Sequence, residues 1–177
     1  MRTDQKGYSL VEVIIVVAVL GILAGLSVVS INMLTSGNLK SATTKINTTM
    51  ENVRVQDMSY TNKPAMYFYQ DSDGKYRMFV SSDASVTVTS QAAKDAETFG
   101  SLKLTLTYED SSGNEQKISD LTGRLYPVQF NSNNGALLKT TLSGGDAYLT
   151  KITISKGNGE LSKTVSIVPS TGKHSAY

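Results

Sequence analysis

Cysteine and tryptophan are absent from the 177 residues, histidine occurs once and proline three times. Without thiols the chain has no disulfide, no thiol nucleophile and no zinc–cysteine site. An exported domain of this composition is held by its core and its sheets alone. A single histidine, His174, cannot form a metal cluster, and its polar surroundings near the C-terminus read as a solvated tail. Excess charge is lacking too. The formal net charge is +2, too small and too dispersed to gather nucleic acid through a basic field. The sequence shows no phosphate-cradling glycine loop and no nucleophile–base constellation, so it reads as a non-enzyme that needs no cofactor.

What is present is unevenly spread. Hydrophobic residues make up 40 % of the chain, near the globular average. Yet Leu10–Ile31 is almost wholly apolar, and the remainder is rich in Thr, Ser, Gly and Asn. At about 1.5 Å per residue that run would extend roughly 33 Å as helix, enough to cross a hydrocarbon core of ~30 Å. Arg2 and Lys6 precede it, which favours a cytoplasmic N-terminus with the bulk of the chain outside. The run is longer than the roughly 7–15-residue core of a secretory signal. Small residues do follow around Ser27–Ser30, so length alone does not exclude a cleaved signal.

Glu12 decides more. A carboxylate inside an apolar membrane segment costs about 2.5–3.5 kcal/mol, and a plain anchor has no use for one. Cleavage after Gly7 would create an amino group on Tyr8, one helical turn from Glu12 at i, i+4. The amine of a neighbouring copy is an equivalent partner. Either pairing would offset the cost of burying both charges. Pairing between chains would also fix the axial stagger of two helices.

Lys6-Gly7-Tyr8-Ser9-Leu10-Val11-Glu12 closely resembles the class III leader and processing motif of type IV pilins and type II secretion pseudopilins. That resemblance implies cleavage between Gly7 and Tyr8 by a prepilin peptidase and N-methylation of Tyr8. It also implies that Glu12 neutralises the amine of an adjacent subunit during assembly. Tyr8 stands where Phe is commoner in the family, and Val11 where Ile is. The proline that many pilins carry part-way along the apolar helix is missing; Val28, Val29 and Ser30 occupy that region. Gly21 and Gly25 form a small-xxx-small pattern that permits close helix approach.

Beyond the apolar run, Leu39, Ala42, Ile46, Met50 and Val53 recur at spacings of three and four among polar residues, which is one face of an amphipathic helix. Thr35–Asn38 is a point where that helix would bend or unwind. Pro64 marks the end of the helical region near Tyr60. Met66–Tyr69 and Tyr76–Val80 around Asp71-Ser72-Asp73-Gly74 predict a hairpin, with Tyr67, Tyr69 and Tyr76 in sheet core and rim. Ser85–Ser90 alternates as a strand, and Gln91–Glu97 has a helical composition. Leu102, Leu104 and Leu106 predict a half-buried strand before a loop at Asp110–Asn114. Tyr126–Phe130 and Ala136–Leu142 are weaker strands. Leu149–Ser155, with Leu149, Lys151 and Thr153 on one face, pairs with Leu161–Val168 across Lys156–Gly159, and Pro169 stops it. This end is similar to the minor H-type pseudopilins. Asp71 and Asp73 are weak candidates for a calcium loop; they lack the further ligands of an EF-hand, and a hairpin turn explains them.

The expected fold class is α+β, a long N-terminal helix packed on a mostly antiparallel sheet. The expected organisation is a cleaved leader (1–7), a transmembrane and filament-core helix (8–34), an amphipathic half (35–63) and a β-rich globular domain (64–177). The resemblance implies a structural subunit of a pilus-like filament. Its implied partners are other pilin subunits, prepilin peptidase, a membrane assembly platform and, before assembly, membrane lipid. An alternative is a minor pseudopilin of a secretion or competence system, and nucleic acid would be a partner only in the competence case. A reading of another class is a binding module on a permanent single-pass anchor, which predicts no trimming at Gly7.

Overall fold

The computed structural model describes residues 10–59, 63–157, 159 and 161–177, with side chains for all of these except 24–35. They fall into two compact units, one ending at Gly37 and one running from Asn38 to Tyr177. One helix, α1 (Leu10–Ser59), contributes to both. Residues 35–38, where the sequence allowed an interruption, are helical.

The second unit continues with β1 (Ala65–Gln70), β2 (Tyr76–Ser81), a short α2 (Gln91–Lys94), β3 (Glu97–Thr98), β4 (Lys103–Asp110), β5 (Glu115–Ile118), β6 (Tyr126–Val128), β7 (Thr140–Leu142), β8 (Gly145–Lys156), β9 (Leu161–Val168) and β10 (Lys173–Ala176). One sheet has the order β3-β2-β1-β6; the other has β10-β9-β8-β4-β5, with β7 on the start of β8. Every pairing between these strands is antiparallel. The class is α+β, a helix followed by antiparallel sheets, as the sequence led one to expect.

The amphipathic stripe of α1 is a core face. Leu39, Ile46, Met50 and Val53 are all 2 % exposed or less, and Ala42 packs on the same core. Burying each of the four larger side chains, Leu39, Ile46, Met50 and Val53, stabilises the fold by about 1.5–3 kcal/mol relative to exposure. Both sheets give one face to that core: Met66, Phe68 and Met78 from the first, Leu104, Leu106, Ile152 and Val165 from the second. β1 is buried on its other face as well. There Tyr67 and Tyr69 join Phe79, Ala93 and Ala96 in a second, smaller cluster. Tyr67 stacks on Phe79 at 5.1 Å, and the Tyr69 hydroxyl donates to Ala93 O at 2.5 Å.

Several expectations are corrected. Ser85–Ser90 is not a strand but a run of turns. Its polar side chains close locally: Asp83 accepts from the Ser85 amide and hydroxyl, and Ser90 Oγ donates to Thr87 O. Such bonds compete with a ladder, and Val86 and Val88 pack on the second cluster instead. α2 stops at Lys94, and Glu97 belongs to β3. The expected strands 126–130 and 136–142 shorten to β6 and β7, with an isolated bridge between Phe130 and Leu137 in the connection. In β8 the alternation breaks at a register shift opposite Thr107/Tyr108. The extra residue is Thr150, whose hydroxyl donates to Thr107 O at 3.2 Å. The bulge turns Leu149 onto the face of Ile152 and Ile154, not that of Lys151 and Thr153. β5 and β10, neither read from the sequence, flank the second sheet.

Candidate assembly segment

In the first unit, the described side chains of Leu10–Leu23 are apolar on every side of the helix. Each Leu, Ile and Val from Leu10 to Leu23 is 49–76 % exposed. A helix apolar all round belongs in a membrane or in the interior of an assembly. Glu12 lies near the start of the described part of α1, exposed among these side chains. Gly21 and Gly25 are both helical and one turn apart, so they share a face. A Cβ placed on Gly21 would meet nothing within 4 Å, so among the described residues no group fills the space beside it. Gly7 and Tyr8, the expected cleavage and methylation positions, lie outside the described residues. Among the described residues, no helix is long and apolar enough to cross a membrane. The span Leu10–Ile31 therefore stands as a sequence reading, since the side chains of 24–35 are not among those described.

Asp71 and Asp73 form a turn. Asp71 Oδ1 accepts the amides of Asp73 and Lys75 at 3.0 and 2.8 Å, and Oδ2 accepts Arg77 Nε at 2.6 Å. Burial pushes the Asp71 carboxyl up, but the Arg77 bond and these two amides outweigh it and hold the group below the ordinary carboxylate range. Gly74, at φ 75°, supplies the left-handed residue the turn requires. The same plan recurs at Asp110, whose carboxylate accepts the amides of Ser112 and Asn114 ahead of β5. Among the described residues no group of three or more metal-ligating side chains occurs.

A polar seam runs beside the apolar stripe of α1, and the sequence reading missed it. Asn47, Glu51, Arg54 and Asp57 follow the stripe's own spacing and meet the segments around Phe130–Gly135 and Gly172–His174. Asp57 Oδ2 accepts the Phe130 amide at 3.0 Å, and Arg54 Nε donates to Gly135 O at 3.2 Å. His174 is not solvated: its side chain is 2 % exposed and bonds to α1. Its neighbours in sequence are polar and exposed, which hid this. The legible signal was Asp57, a carboxylate one helical step past Val53 on an otherwise apolar repeat.

No curated protein and no solved structure matches the chain. One family model does, the prokaryotic N-terminal methylation motif, over residues 2–28. The match runs from the basic leader through Gly7, Tyr8 and Glu12 into the exposed apolar helix. The chain thus carries a prokaryotic N-terminal methylation motif, the prepilin-type leader, and that motif supports a type IV pilin-like or pseudopilin protein.

Proposed function

We propose that this chain is a non-enzymatic structural subunit of a type IV pilus-like filament. It is cut after Gly7 and N-methylated on Tyr8. It waits in the cytoplasmic membrane with its N-terminus inward, then enters an extracellular filament by lateral packing of its apolar helix. Glu12 of one copy pairs with the Tyr8 amine of the next, and Gly21 and Gly25 admit a close neighbour.

The observation that carries this reading is one continuous segment: a methylation motif leading into a helix whose apolar side chains are open on all sides, with Glu12 near the start of its described part. Helix–helix association in lipid or in a filament core draws on such packing and on buried polar pairs.

Intact mass spectrometry of protein from its native host tests the processing. The expected species begins at Tyr8 and is one methyl group heavier than the bare sequence. A mature fibre protein that keeps residues 1–7 overturns the reading. Glu12→Ala is expected to be processed and membrane-bound yet depleted from sheared filaments by about tenfold or more, the scale of a lost buried charge pair. Normal incorporation removes the pairing role. Abundance in sheared fibres decides between a major subunit and a minor pseudopilin.

A further inference from the structure

The imidazole of His174 is held between two groups that only accept hydrogen bonds. Nδ1 lies 3.1 Å from Gly172 O, and Nε2 lies 3.0 Å from Asn47 O of α1. A neutral imidazole has one N–H and one lone pair. In either tautomer, one ring nitrogen would point a lone pair at a carbonyl oxygen across about 3 Å. Only the doubly protonated ring donates to both. Its charge has a counterpart, since Glu51 Oε2 lies 3.8 Å from Nε2.

The other groups around the ring fit that assignment. From α1, Glu51 and Arg54 face this region, and Arg54 Nη1 contacts Glu51 Oε1 at 3.4 Å. Glu51 therefore stands between two cations. The segment 130–137 brings no titratable side chain. On β9, the residues paired with the start of β10 are Val168, Ile167 and Ser166, none of them charged. On β10 itself the nearest charge is Lys173.

We propose that His174 is a protonation-dependent latch that fastens β10 to the helix. The imidazolium closes it with two charge-assisted bonds. Loss of the second ring proton replaces one of them by a contact between two lone pairs. β10 then keeps only its ladder to β9, a short pairing at the outer edge of the sheet. The latch is closed in acid and loosens as pH rises, because protonation is what supplies the second donor.

The test is NMR on the full isotope-labelled chain in detergent micelles, followed through a pH series from acid to alkaline. At the acid end both ring nitrogens are expected to carry protons. As the second proton is lost, the amides of the β9–β10 ladder should lose protection by about tenfold after correction for intrinsic exchange, the scale of one charge-assisted bond. Glu51→Gln should move both events to lower pH together. His174→Gln should remove the pH dependence of β10 protection; if that variant fails to fold, the Glu51→Gln comparison carries the test. A ring with one proton throughout the series, or β10 protection unmoved when the second ring proton is lost, overturns the proposal.

Discussion

Asp57 occupies the step after Val53 on the α1 stripe, 1 % exposed, with one carboxylate oxygen on the Phe130 amide. Its other oxygen, Oδ1, is buried without a hydrogen-bond partner among the described residues. Burial raises this carboxyl above its ordinary range, and the Phe130 bond and the charge of Lys63 only partly oppose that. The sign follows. The folded state holds the proton to higher pH than the unfolded chain does, so its contribution to stability is full in acid and declines as pH rises past the carboxylate range. Asn at this site does not titrate and keeps an oxygen for Phe130. The thermal midpoint of Asp57→Asn, relative to the parent, should therefore climb between about pH 3 and about pH 7, where ordinary and raised carboxyls ionise. A constant difference would show that Asp57 does not change its proton on folding. The residue was visible in the sequence as an exception to a repeat. Its partner, 73 positions away, was not, because no local pattern records which loop a helix face meets.

Among elements, those that were legible had both a period and a terminator. β1 and β2 alternate around Asp71–Gly74, and β9 carries Val165 and Ile167 inward before Pro169. The α1 stripe shows the helical period over four turns. The illegible elements lacked one or the other. β5 and β10 are short and mostly polar and exposed, and only their neighbours β4 and β9 make them strands. Ser85–Ser90 had the period, but the side chains of Asp83 and Ser90 bond its backbone in place of a strand partner. β8 was legible in place and misread in face, because a bulge leaves no mark in the composition. That bulge yields a paired expectation. Deleting Thr150 leaves Ala147, Leu149, Ile152 and Ile154 on one side of a regular strand. Deleting Thr153 turns the residues before it to the wrong side, since the pleat has a period of two. Chemical unfolding of the two deletion variants should find the first folded, within about 1–2 kcal/mol of the parent, and the second without a cooperative transition. Equal loss in both would remove the bulge from this account.

For the molecule as a whole, the division at Gly37 separates two kinds of surface. The unit from Asn38 onward closes its own core, with α1 from Leu39 to Val53 inside it. Before Gly37, every large aliphatic side chain described, from Leu10 to Leu23, is exposed. The N-terminal motif was the most legible part of the sequence because its chemistry is contiguous and needs no tertiary contact to be recognised. A chain beginning at Asn38 is expected to remain monodisperse without detergent and to unfold in one transition, whereas the full chain should require detergent or self-associate. Size-exclusion chromatography with light scattering checks both. A shortened chain that aggregates would mean that the earlier residues complete the core.

β1 has no face toward water. Its inner side chains belong to the main core, and its outer ones, Tyr67 and Tyr69, are sheltered with Phe79 beneath residues 82–96, a cover made of turns and one short helix. Turns open more readily than ladders. A protease nick in that cover would leave the main core whole while stripping the shelter from an aromatic wall. The damaged protein would then remain folded but become adhesive, failing by clumping before it failed by melting.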